Sequence, residues 1–164
     1  MISRIAIAGH PIHPALVPIP IGLAVGTLAA DLMYVLGGRE QFWYDVALWA
    51  GWGAVASGVL AALPGLGDFL GVARHTDARD PALAHMLLNI GFLAAFTVAG
   101  LLMLGGNARE GGALAAVIVL HVASLQLLGI SGWIGGELSY RHHIGVVPDD
   151  RASARSERTH HTRW

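Results

Sequence analysis

Polar and charged residues fall in clusters along this chain and leave four long apolar stretches between them. Ile5–Ala30, Val46–Gly67, Pro81–Ala108 and Gly111–Gly136 contain no Asp, Glu or Arg, and each is 22 to 28 residues long. About 20 apolar residues cross the ~30 Å hydrocarbon layer as a helix. Lipid offers backbone amides no partner, so only helices and closed barrels span it. The pattern holds no series of short alternating strands, and it predicts four membrane-spanning helices.

The spacing places these helices at about 15–36, 44–63, 81–104 and 112–130. Gly37-Gly38 and Gly105-Gly106-Asn107 break the first and third. Pro81 suits the first turn of the third helix, with Asp80 as its cap. The short connections predict an all-α integral membrane fold, an up-down-up-down four-helix bundle over residues 1–147. Residues 148–164 are polar, too poor in apolar side chains to order themselves, and read as a disordered tail. Its His160-His161 pair reads as part of that solvated tail ahead of a metal site.

Arginine placement sets the expected orientation. Arg4, Arg74, Arg79, Arg141, Arg151, Arg155, Arg158 and Arg163 fall on one side, and only Arg39 and Arg109 on the other. The positive-inside rule then puts both termini in the cytoplasm. Phe42, Trp43, Tyr44 and Trp49 flank the outer interface, and Trp133 and Tyr140 the inner one. The first apolar run has no persuasive small-residue cleavage site and is expected to be retained.

Composition narrows the chemistry. The 164 residues are 54% hydrophobic and 13% charged, with mean hydropathy +0.57, against about 25% charged in an average soluble domain. The absence of Cys excludes disulfides, zinc ribbons, Cys-ligated iron–sulfur clusters and thiol catalysis within this chain. A net charge of −1 leaves no nucleic-acid footprint. There is no nucleophile elbow, phosphate loop or zinc-protease motif, so the chain is not expected to be an enzyme on its own. A ring of like charges or a filter sequence, as a channel needs, is also missing.

What stands out is polar residues within the spans, since ionisable groups there are rare and tend to be functional. His10 and His13 each precede a proline, which favours extended geometry. In a three-residue polyproline repeat the two rings would point the same way. His85 lies one turn into the third helix with Asn89 on the same face. His121 lies mid-helix in the fourth, with Ser124 three residues on. Asp31 is near the outer end of the first helix and is expected to reach the interface. Gly22-Leu23-Ala24-Val25-Gly26 matches a small-residue packing motif. Pro64–Leu70 and Gly132–Leu138 look alike, each with an acid just past glycines, a weak sign of a two-helix duplication.

His10-Pro11-Ile12-His13-Pro14-Ala15-Leu16-Val17-Pro18-Ile19-Pro20 resembles the opening of a bacterial family of small predicted membrane proteins classed as a domain of unknown function. Gly132-Trp133-Ile134-Gly135-Gly136-Glu137-Leu138-Ser139-Tyr140-Arg141-His142 is similar to its closing signature. The resemblance covers residues 9 to 147 and implies four transmembrane helices in a bacterial inner membrane. Some members carry a fused Rieske domain, which implies electron transfer; this chain has no Cys to build one. His142 matches the family's His after the Tyr-Arg pair.

Three readings follow. The first is an electron-transfer protein binding haem b through His13, His85, His121 or His142, served by a redox partner. The second is a non-haem metal site at the cytoplasmic mouth built from His10, His13, His85 and His142, with Asp68, Asn89 and Glu137 orienting the ligands. The third is a structural subunit of a larger membrane assembly, its histidines serving as packing and hydrogen-bonding groups.

Overall fold

The computed structural model describes residues 5–8 and 10–144; Arg4 and the 148–164 tail, with His160 and His161, lie outside them. Strand β1 (Ala6–Ile7) pairs antiparallel with β2 (His10–Pro11), and a short helix α1 (Ile12–Leu16) leads into α2 (Pro18–Leu36). Helices α3 (Gln41–Gly71), α4 (Arg79–Leu104) and α5 (Gly111–Tyr140) follow. Ile12–Leu36, Gln41–Gly71, Arg79–Leu104 and Gly111–Tyr140 are each long and apolar enough to cross a membrane. They pack as an up-down-up-down bundle, and the chain is a membrane protein. Most of each apolar window faces outward, with Trp49, Leu60, Leu63, Val119 and Ile130 among the exposed side chains. A helix apolar all round belongs in lipid.

Two helices overrun their expected ends. The second reaches Gly71 and the fourth Tyr140, where the sequence placed ends near 63 and 130. Pro64 removes one i→i−4 hydrogen bond, yet it is buried within α3, and packing overrides its helix-breaking propensity. At ~1.5 Å per residue, α3 and α5 are about 45 Å long and project past the hydrocarbon layer. Counting ~20 residues from Tyr44 and Gly112 puts Ala61 and Ser131 near the interface at the end where the chain begins.

The two helical hairpins repeat one another. Buried Pro20, Ala24, Thr27 and Asp31 of α2 match buried Phe92, Phe96, Ala99 and Met103 of α4, 72 residues on. Buried Tyr44, Ala47, Gly51, Ala54 and Ala61 of α3 match Leu114, Val117, His121, Ser124 and Ser131 of α5, 70 residues on. Gly38 and Gly106 both take left-handed conformations, φ 82° and 70°, just past a helix end, although the 72-residue register pairs Gly38 with Glu110. Across the turns Arg39 pairs with Glu110 at 3.3 Å while Arg109 donates to Gln41. The match of Pro64–Leu70 with Gly132–Leu138 does not hold in this register: Gly65 corresponds to Gly135, so Asp68 and Glu137 are not equivalent.

Small side chains bring the helices together, as membrane packing requires. Ala24 and Ala54 pack with Phe92 and Phe96 in mid-bundle, and Ala30, Ala47 and Ala99 with Tyr34 and Tyr44 nearer the Gly-Gly turns. Gly22 and Gly26, by contrast, are exposed with nothing near them and do not serve that packing. The Tyr44 hydroxyl donates to the Met103 carbonyl at 2.8 Å. That carbonyl also accepts from the Gly106 amide, so Tyr44→Phe leaves it one partner. The expected loss is about 1 kcal/mol, read as a lower unfolding midpoint in detergent. A loss above about 3 kcal/mol would contradict this account.

Candidate functional site

His13 and His85 occupy equivalent positions in the two hairpins and are held in the same way. His13 Nδ1 lies 2.8 Å from the carbonyl oxygen of Ala61 in α3. His85 Nδ1 lies 2.9 Å from the carbonyl oxygen of Ser131 in α5, and as close to Ser131 Oγ. A carbonyl can only accept, so each Nδ1 carries the proton, and in the neutral ring the lone pair falls on Nε2. The Ala61 carbonyl is three residues before Pro64, in the stretch where the proline disturbs the helix ladder.

Glycines make room for both rings. A Cβ at Gly65 would sit 2.9 Å from His13 Cε1, and one at Gly135 would sit 3.0 Å from His85 Cε1. The two imidazoles meet edge to face, ring centres 6.1 Å apart and planes at 88°. The two rings, at equivalent positions of the two hairpins, thus touch one another. Asn89 supports the cluster: its amide donates to the His85 carbonyl at 2.8 Å and to Ser131 Oγ at 2.6 Å, with a longer 3.3 Å contact to His85 Nε2.

A second polar site lies deeper and breaks the repeat. His121 Nδ1 and Asp31 Oδ2 are 2.6 Å apart, with side chains 1% and 3% exposed. Asp31 therefore turns inward and does not reach the interface as expected. His121 lies beside Phe96, ring centres 4.6 Å apart. Thr27 and Ser124, both fully buried, sit one turn away and donate to their own helices. The positions equivalent to Asp31 and His121 are Met103 and Gly51, so the other half closes without a charged pair.

His10 and Glu137 have other partners among the described residues. His10 belongs to β2, exposed, its Nδ1 3.0 Å from the Ala8 carbonyl. His13 belongs to α1, so the shared polyproline face does not form: Pro14 sits in a first helical turn, where proline is tolerated. His142 follows the end of α5, half-buried. Glu137 binds Arg141 at 2.7 Å, and orients no histidine. Asp68 is half-buried near the end of α3. Among the described residues no three His, Cys, Asp or Glu converge as a metal site, so the four-histidine cluster of His10, His13, His85 and His142 is not assembled.

Sequence reading singled out His13, His85 and Asn89 but not what fixes them. The Ala61 carbonyl carries no side-chain signal. Ser131, one turn before Gly135, was legible only as another small residue. Asp31 was seen but assigned to the wrong surroundings, because its partner is 90 positions away.

No curated protein and no solved structure matches this chain. The family model described as predicted membrane protein DUF2231 matches residues 9–148, a span that takes in both hairpins, the His13–His85 pair and the Asp31–His121 pair, and the chain belongs to that family.

Proposed function

We propose that this protein is a membrane redox protein in which the imidazoles of His13 and His85 would hold the iron of a haem b. One observation carries the reading. Two histidines, one from each half, are oriented through Nδ1–H onto carbonyls with Nε2 left as the coordinating nitrogen, the arrangement typical of metal-bound imidazole. A metal–imidazole bond is ~2.0–2.1 Å, and the rings, now edge to face with centres 6.1 Å apart, would have to turn for both Nε2 atoms to reach one iron.

The size of the donor set favours haem over a bare ion. Mononuclear zinc or non-haem iron takes three or four protein ligands, more than converge among the described residues. Haem iron draws four nitrogens from its own macrocycle and asks the protein for its axial ligands alone. Facing helices of a bundle are a common place for such ligands. Asn89 would give up its long contact to His85 Nε2 and keep its two shorter bonds. Bound haem supplies one-electron chemistry; the carbonyls and glycines of α3 and α5 hold the rings. With the arginine-rich side in the cytoplasm, this end faces the cytoplasm and a redox partner there.

The test is an absorption spectrum of detergent-purified protein from haem-replete cells, oxidised and then reduced with dithionite. The expected result is a Soret band that sharpens with α and β bands on reduction, abolished in His13→Ala and His85→Ala and retained in His10→Ala and His142→Ala. A featureless spectrum sinks the haem reading. Metal analysis then decides between a two-imidazole ion site and a structural subunit.

A further inference from the structure

The buried pair of Asp31 and His121 plays no part in that chemistry. Ten residues of α5, about 15 Å by helical rise, separate His121 from Ser131 and the His85 ring. Between the two levels lie Phe92, Phe96, Leu125 and Leu128, packed as one apolar cluster. The pair is therefore closed toward the His13 end and nearer the other. Asp31 is five residues, about 8 Å, from the end of α2 at Leu36.

Three features set this site apart. Among the described residues, four of the five buried polar side chains, Thr27, Asp31, His121 and Ser124, lie at this pair or within one turn of it. The repeat shows that the bundle does not need them, since Met103 and Gly51 fill the equivalent positions. And ionisable groups within a membrane are costly and mark proton or ion paths. One carboxylate and one imidazole are too few to hold a metal ion, but together they hold a proton.

The groups around the pair are few. On α2, Tyr34 follows Asp31 by one turn and donates to the Arg109 carbonyl at 2.9 Å. On α3, Tyr44 packs on Tyr34 with ring centres 5.4 Å apart, while Asp45 is exposed and accepts from Gln41. From the second turn the Arg109 guanidinium lies 4.8 Å over the Tyr44 ring. The stretch of α4 at this level presents Phe96, Ala99 and Met103, none titratable. Two tyrosines and an arginine thus line the short distance between the pair and the water at the Gly-Gly turns.

We infer that Asp31 and His121 form a proton-binding site inside the membrane, which exchanges protons with the aqueous phase at the Gly-Gly turn end of the bundle. Loading bonds one proton from hydronium to the Asp31 carboxylate and leaves water; unloading is the reverse. The imidazole holds the carboxylate through Nδ1 in both states.

Infrared difference spectroscopy of the full chain in lipid, perfused alternately with acidic and alkaline buffer, tests this. Wild type should show a carboxylic acid C=O band of a buried group, gained as carboxylate bands are lost, on top of the signal of the exposed acids. Asp31→Asn, which keeps the side chain's shape, should lose that band. His121→Gln, which keeps Asp31 and removes the imidazole at Oδ2, should shift that band in frequency. Should Asp31→Asn not fold, the His121→Gln shift decides alone. Wild-type and variant difference spectra that superimpose overturn the inference, whatever the haem spectrum shows.

Discussion

Removing one partner of the Asp31–His121 pair is expected to cost more stability than any other single change proposed for this protein. Asp31→Leu or His121→Leu should each lose about 3 kcal/mol, because either leaves a buried polar group without its partner. The double variant should recover most of that loss, because well-packed apolar replacements of a buried pair are often neutral or better. The Met103 and Gly51 positions of the repeat show that an apolar solution fits this fold. The measurement is a double-mutant cycle on unfolding in mixed detergent, which isolates the pair from the packing of each side chain alone. Single losses below about 1 kcal/mol, or additive losses in the double, would show that the 2.6 Å contact contributes little.

The adjacent glycines near the end of α5 give the second large effect together with its own control. A side chain at Gly135 meets a rigid ring: its Cβ lies 3.0 Å from His85 Cε1 and 3.3 Å from Nδ1. At Gly136 nothing lies within 4 Å. Gly135→Val should therefore push the imidazole off the Ser131 carbonyl, at a cost of about 1–3 kcal/mol for overpacking, and, on the proposed haem reading, abolish the Soret band. Gly136→Val should be neutral or slightly stabilising, since glycine is the poorer residue in a helix interior by up to about 1 kcal/mol. Thermal unfolding and haem content of the two variants check this. Equal behaviour at 135 and 136 would mean that His85 is not held as described.

Lipid solubility is a one-dimensional property, and the sequence displays it well. Spans of 22 or more uncharged residues predicted four helices, and the turns at Gly37-Gly38 and Gly105-Gly106 followed from glycine's freedom at positive φ. The ends of α3 and α5 were less legible. Pro64 reads as a stop unless one knows that it is buried against neighbours, and no local pattern announces that. The repeat shows the same limit from the other side. Its halves share burial positions and one glycine, Gly65 with Gly135, but few identities, Tyr44 matching Leu114 and Ala61 matching Ser131. Only once burial is known does the register emerge, and with it the equivalence of His13 and His85. Asp31 was misplaced because depth along a helix says how far a group is from water but not which way it points.

Each imidazole is aimed from within its own hairpin: His13 by Ala61 inside residues 12–71, His85 by Ser131 inside residues 79–140. Neither ring needs the other half in order to be oriented. During synthesis the first hairpin can finish its side of the site while the second is still on the ribosome, and the later docking of the halves sets only the gap between two rings already in place. The site is in this sense assembled like a hinge from two pre-cut leaves, its preorganisation a property of the parts and its spacing a property of the whole.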